Sequence, residues 1–136
     1  MNALSKVFAF KIGATVSVWC IPLVLMPASW LEMIGFPRQD SYMFVRMLGW
    51  AYLALCVGYW FGLKASLQGQ RPMGPIWVGI VSNGGAFLYL LYYGLLGTWT
   101  TWGIALQVIG WGSALATFLI TAGLLLFGVR GDGEAS

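Results

Sequence analysis

Four stretches of this sequence run almost without interruption as apolar residues, at about residues 7–26, 42–63, 76–96 and 102–129. An α-helix rises about 1.5 Å per residue, so roughly 20 residues cross a hydrocarbon layer about 30 Å thick. The runs are continuous rather than alternating, which fits helices and disfavours strands. A helix also pairs its backbone polar groups internally, the condition for standing in lipid. Composition narrows the choice of solvent. Of 136 residues, 60% are apolar and only 8% are charged, against about 25% charged in an ordinary soluble domain. Such a chain lacks the material for a water-facing surface. The expected fold is all-α: an integral membrane four-helix bundle, one domain over residues 1–130, with a polar tail at 131–136.

The connections carry the local detail. Ser29-Trp30-Leu31-Glu32 reads as a capping box, the serine capping the helix start and the glutamate reaching back. A short helix runs to about Ile34, and Gly35 closes it. Its Trp30, Leu31, Met33, Ile34 and Phe36 make it a short interfacial helix between helices 1 and 2. Pro37 breaks the chain, and Asp40 or Ser41 caps helix 2. The second connection, 65–75, is polar and punctuated by Gly69, Pro72, Gly74 and Pro75. The third, 97–101, is short enough to make the last two helices a tight antiparallel hairpin. Small residues recur at helical spacing: Ala9, Gly13 and Ser17 on helix 1, Ala54, Gly58 and Gly62 on helix 2, and Gly103, Gly110, Ala114, Thr117 and Thr121 on helix 4. Such faces let backbones approach closely in lipid.

Lys6 and Lys11 ahead of an apolar stretch and Pro27-Ala28-Ser29 also fit a signal peptide. Met26 at the −3 position suits its small-residue rule poorly, so the first run is read as a retained helix. Four spans then put both termini and the second connection on one side, with Lys6, Lys11, Lys64, Arg71 and Arg130; Arg38 and Arg46 lie on the other. The bias places both termini in the cytoplasm, most naturally at a bacterial inner membrane. Trp30, Tyr42, Trp99 and Trp102 mark the outer interface and Trp60 and Trp77 the inner one.

Several chemistries lack their residues. There is no histidine, which removes the commonest general base and haem or metal ligand. Cys20 and Cys56 are far apart in apolar runs and read as packing residues. No metal site, catalytic residue or cofactor is expected, and a net charge of +3, thinly spread, points to no nucleic acid. The ligand-binding candidates are Arg46, with Glu32 and Asp40 nearby at the outer mouth, then Asn83 and Gln107 within the bundle. Arg46 reads either as a residue snorkelling to headgroups or paired with Glu32 or Asp40, or as a site for an anion, headgroup or carboxylate. Asn83 and Gln107 read as interhelical hydrogen-bonding residues, or as parts of a polar pocket, at different depths. Tyr89, Tyr92 and Tyr93 read as packing, or as a stack for a flat ligand such as a quinone.

The stretch 27–37, with Trp30-Leu31, Ile34-Gly35-Phe36-Pro37, and the opening of helix 2, with Phe44, Arg46 and Leu48-Gly49, resembles the DoxX-like group of small bacterial four-helix membrane proteins. The resemblance covers about 25 residues. It implies four helices and, in some members, association with membrane redox or oxidative-stress complexes; it implies no catalytic residues. Three functional classes follow, in order of preference. The first is a non-catalytic component in the lipid bilayer that binds a partner protein, lipid or hydrophobic ligand. The second is a small transporter or channel acting as a homo-oligomer, and the third a quinone-linked redox subunit.

Overall fold

The computed structural model describes residues 1–130, so the polar tail expected at 131–136 lies outside the described residues. The helices are α1 (Ala3–Leu25), α2 (Ala28–Met33), α3 (Met43–Leu67), α4 (Met73–Leu95) and α5 (Ile104–Val129), and no strand occurs among the described residues. All but α2 are long and apolar enough to cross a membrane, the build of a multi-pass membrane protein. The start of α1, the α3–α4 connection and the end of α5 share one end of the bundle, here the terminal end. The α2 region and the α4–α5 loop share the far end.

α1 begins earlier than its apolar run. Asn2 caps it, its side-chain oxygen accepting the Ser5 N–H at 2.8 Å, so Lys6 and Lys11 lie inside the helix. The same oxygen accepts from the Ser5 and Ser66 hydroxyls, and the Asn2 amide donates to the Ser66 carbonyl at 2.9 Å. This buried knot ties the start of α1 to the end of α3. Farther along, Val16–Cys20 is π-helical, with the Ile21 N–H bonded to the Val16 carbonyl. The widened turn lies just ahead of Pro22, which has no N–H to continue the regular ladder.

Three glycines in the left-handed region end helices: Gly35 (φ 98), Gly69 (φ 75) and Gly97 (φ 72). Each sits in the same double closure. At the first, Phe36 donates to the Leu31 carbonyl and Gly35 to that of Glu32, which answers the last carbonyls of α2. The capping box expected at the other end of α2 does not form. Pro27 is the N-cap, its carbonyl accepting from Trp30 and Leu31. Ser29 therefore falls inside the helix, too late to cap it. Neither cap expected for α3 holds the N-cap position: Tyr42 does, without a side-chain cap, while the Ser41 hydroxyl accepts the Met43 N–H at 3.3 Å.

The helices pack as two hairpins, α1 with α3 and α4 with α5. Contact within each hairpin is far more extensive than between them. The hairpins join at the terminal end, where Leu4, Phe8, Tyr59, Leu63, Ile76, Ile120 and Leu124 form the buried core. Glycines make this junction possible: Gly62 faces Phe8 and Pro75, Gly79 faces Leu124, Gly123 faces Val7 and Gly128 faces Ile76. The faces expected from spacing alone fare unevenly. Gly13 and Gly58 meet open space, whereas Gly62 and Gly110 pack. Small residues permit close approach; which face uses it depends on where the large side chains of the neighbour fall.

At the far end the hairpins touch backbone to backbone, since a Cβ on Gly35 would stand 2.5 Å from the Cα of Gly103. Left-handed backbone costs a residue other than glycine about 1–2 kcal/mol, and the Gly103 contact adds to it. Gly35→Ala is therefore expected to lower unfolding stability in detergent by about 2 kcal/mol or more. An equal substitution at Gly13, where the space is open, should leave the same titration within about 0.5 kcal/mol or raise it slightly.

Candidate functional site

Pro27 sets the chemistry of the far end. Lacking an N–H, it leaves the Leu23 carbonyl, four residues back, without its helical donor. Arg46 supplies one from α3: Nη1 donates to the Leu23 carbonyl at 2.7 Å and Nη2 to that of Met26 at 2.5 Å. The guanidinium thus caps the C-terminus of α1, where its charge also suits the helix dipole. Neither Glu32 nor Asp40, the partners that the sequence offered Arg46, is bonded to it. Glu32 instead accepts from the Tyr42 hydroxyl at 2.9 Å, and Asp40 is exposed. Desolvation and the Glu32 carboxylate together push the Tyr42 phenol above its ordinary pKa.

A different site lies between the hairpins. Just beyond the core, toward the far end, all four spans enclose a cavity of about 270 Å³. Lys11, Ser82 and Asn83 line its deepest part, and Thr15, Ser113 and Thr117 its sides. Trp19, Tyr52, Tyr89 and Tyr93 form an aromatic wall, and Trp99 lies at its far end. Lys11 and Asn83 sit about 12 and 15 Å along their helices from the terminal end, with Lys11 about 7–8 Å farther along α1 than Lys6. From Asn83 to Tyr93 the cavity extends on the order of 15 Å.

Two buried polar atoms of its lining residues stand without a partner. Asn83 is 1% exposed, and its amide nitrogen donates to the Gly79 carbonyl at 2.7 Å. A carbonyl only accepts, so the amide cannot be reversed and its oxygen is the unpaired atom. The indole N–H of Trp99 is likewise buried and unpaired. Each such atom costs about 1–3 kcal/mol. Nearby, the Tyr59 and Ser82 hydroxyls bond at 2.7 Å, and the Lys11 ammonium lies 5.6 Å from the centre of the Tyr59 ring, within reach of a cation–π attraction. The four spans hold no aspartate or glutamate to pair with Lys11: Glu32 and Asp40 lie between α1 and α3, and Asp132 and Glu134 follow α5 in sequence.

The cavity continues toward the outside. A cleft of about 190 Å³ between α1 and α5 shares Lys11, Thr15, Trp19, Ser113 and Thr117 with it, and small residues Ala14, Gly112 and Ala116 keep it open.

Of the expected pocket residues, Asn83 lines this cavity and Gln107 does not. Gln107 donates to the Trp102 carbonyl at 2.9 Å and that of Thr100 at 3.2 Å, holding the turn into α5. Tyr89 and Tyr93 stack at 6.3 Å and line the cavity, while Tyr92 packs edge-on to Tyr93 outside it. Two residues were misplaced by sequence reasoning. Lys11, assigned to the membrane surface, lies inside; extending α1 back to its Asn2 cap would have shown this. Trp99, assigned to the outer interface, is buried between Gly94 and Gly110 with its ring edge-on to Trp111 at 5.6 Å. The two glycines, each lacking a Cβ, were the available signal.

Arg46→Leu is expected to weaken the α1–α3 hairpin by about 1–3 kcal/mol, since two carbonyls lose their donors. Arg46→Lys should recover part of it, and neither variant should change occupancy of the cavity; denaturant titration beside ligand analysis checks both. In comparisons with known proteins, no protein-family model matches the chain, and neither a curated protein nor a solved structure does.

Proposed function

We propose that the protein is a non-catalytic membrane component that holds a hydrophobic ligand between its two helical hairpins. The observation that carries this reading is the cavity itself: aromatic and apolar over most of its wall, with a few convergent polar groups of which two lack partners. That is the usual make-up of a small-molecule site. Its cleft between α1 and α5 faces the side of the bundle, so a ligand dissolved in the bilayer reaches the cavity without crossing water.

The setting we propose is a bacterial inner membrane with both termini cytoplasmic, in a protein of DoxX-like build. With Lys11 inside the bundle, the charge bias rests on Lys6, Lys64, Arg71 and Arg130 against Arg38 and Arg46, which still favours a cytoplasmic terminal end.

Purification in mild detergent followed by mass spectrometry of the extracted small molecules tests the ligand. A lipophile should accompany the wild type and be largely missing from Ala86→Phe, whose ring fills the cavity, while both keep the same helical circular dichroism. An empty wild type, or equal loading of both, removes the proposal. Orientation is read separately. In a Cys20→Ala, Cys56→Ala background, an impermeant maleimide should label Gln39→Cys from outside the inner membrane and Gln68→Cys only after lysis.

A further inference from the structure

The cavity's polar groups have a sign and a pattern, and these specify the head of what it holds. Lys11 brings a positive charge into a cavity between the four apolar spans, and no span carries a carboxylate to meet it. A lone lysine costs about 2.5–3.5 kcal/mol at the centre of a span and less toward its end, and the Tyr59 ring face offsets part of that cost. At a similar depth, the Asn83 oxygen is fixed as an acceptor and is unanswered. Of the residues lining the site, Lys11 therefore offers N–H donors with positive charge, and Asn83 keeps an acceptor without a hydrogen. From there the cavity leads between Trp19, Tyr52, Tyr89 and Tyr93 toward Trp99, with a mostly apolar surface.

Resting on the reading of this cavity as a ligand site, we propose that its ligand is a lipophilic carboxylic acid bearing a hydroxyl close to the acid group. Its carboxylate pairs with Lys11, its hydroxyl donates to the Asn83 oxygen, and its chain follows the aromatic wall. A neutral head such as a quinone carbonyl would accept from Lys11 but leave both the charge and the Asn83 oxygen unanswered. A phospholipid headgroup belongs at the membrane surface, whereas Lys11 lines a cavity between the spans. A hydroxylated acyl acid satisfies both groups with one small head and can come from the bilayer through the α1–α5 cleft.

Binding of three probes to the purified full chain in nanodiscs tests this: 3-hydroxydodecanoic acid, dodecanoic acid and the methyl ester of the hydroxy acid. The wild type should prefer the hydroxy acid to its ester by about tenfold or more, and to the plain acid by about tenfold. Lys11→Met, which removes a buried charge and so threatens folding little, should abolish the acid-over-ester preference while still binding the ester. Asn83→Leu should abolish the hydroxyl preference and keep the acid preference. If the wild type binds the ester as well as the acid, or the plain acid as well as the hydroxy acid, the head-group proposal is wrong and the ligand cavity stands. If no probe binds and no lipophile accompanies the purified wild type, the cavity reading falls and this inference falls with it.

Discussion

In an apolar medium every backbone carbonyl must be answered by a donor from the chain itself, and the irregular parts of this molecule are answers to that demand. Two prolines in or just after α1 remove donors the helix would have used. Pro22 follows a π-helical turn in which Ile21 reaches back to Val16. Pro27 strands the Leu23 carbonyl, and Arg46 crosses from α3 to meet it. Gly35, Gly69 and Gly97 fold helix ends back on their own carbonyls. Asn2 does the corresponding work for donors at the start of α1. Arg46, the most conspicuous charge in the sequence, belongs to this system.

Against such thorough pairing, the Asn83 oxygen and the Trp99 indole N–H stand out. Both belong to residues lining a space that all four spans share. The core lies to one side of this space and the Gly35–Gly103 contact to the other, so the hairpins are fastened at both ends and parted between. The position of Lys11 follows from the same geometry. It stands two turns beyond Leu4 on a helix whose next turns line the cavity rather than the core.

The spans were legible because hydrophobic length is a property of each segment alone. So was the tight α4–α5 hairpin, which its short loop dictates. The closing role of Gly35 was visible from its neighbours for the same reason. The capping box does not form because the fold, not the tetrapeptide, decides where a helix starts: with Pro27 as N-cap, Ser29 lies two positions too deep. The site was the least legible part. Arg46 was recognised as unusual, but its partners are carbonyls 20 and 23 residues away, a pairing that only the crossing of α1 and α3 creates. Asn83 was singled out because amides are rare in such helices. A lysine near the edge of an apolar run looks like a boundary, which hid Lys11, and here the helix extends about one turn outside that run.

The two hairpins are also successive lengths of chain, α1 with α3 and then α4 with α5. Most contacts are therefore local in sequence, and the first half can be complete before the second has left the ribosome. During that interval the α1 face carrying Lys11, Thr15 and Trp19 fronts lipid with no α5 beside it. Docking of the second hairpin is then the event that takes the lysine out of contact with hydrocarbon. The same charge that marks the finished cavity gives the half-made protein a reason to find its other half.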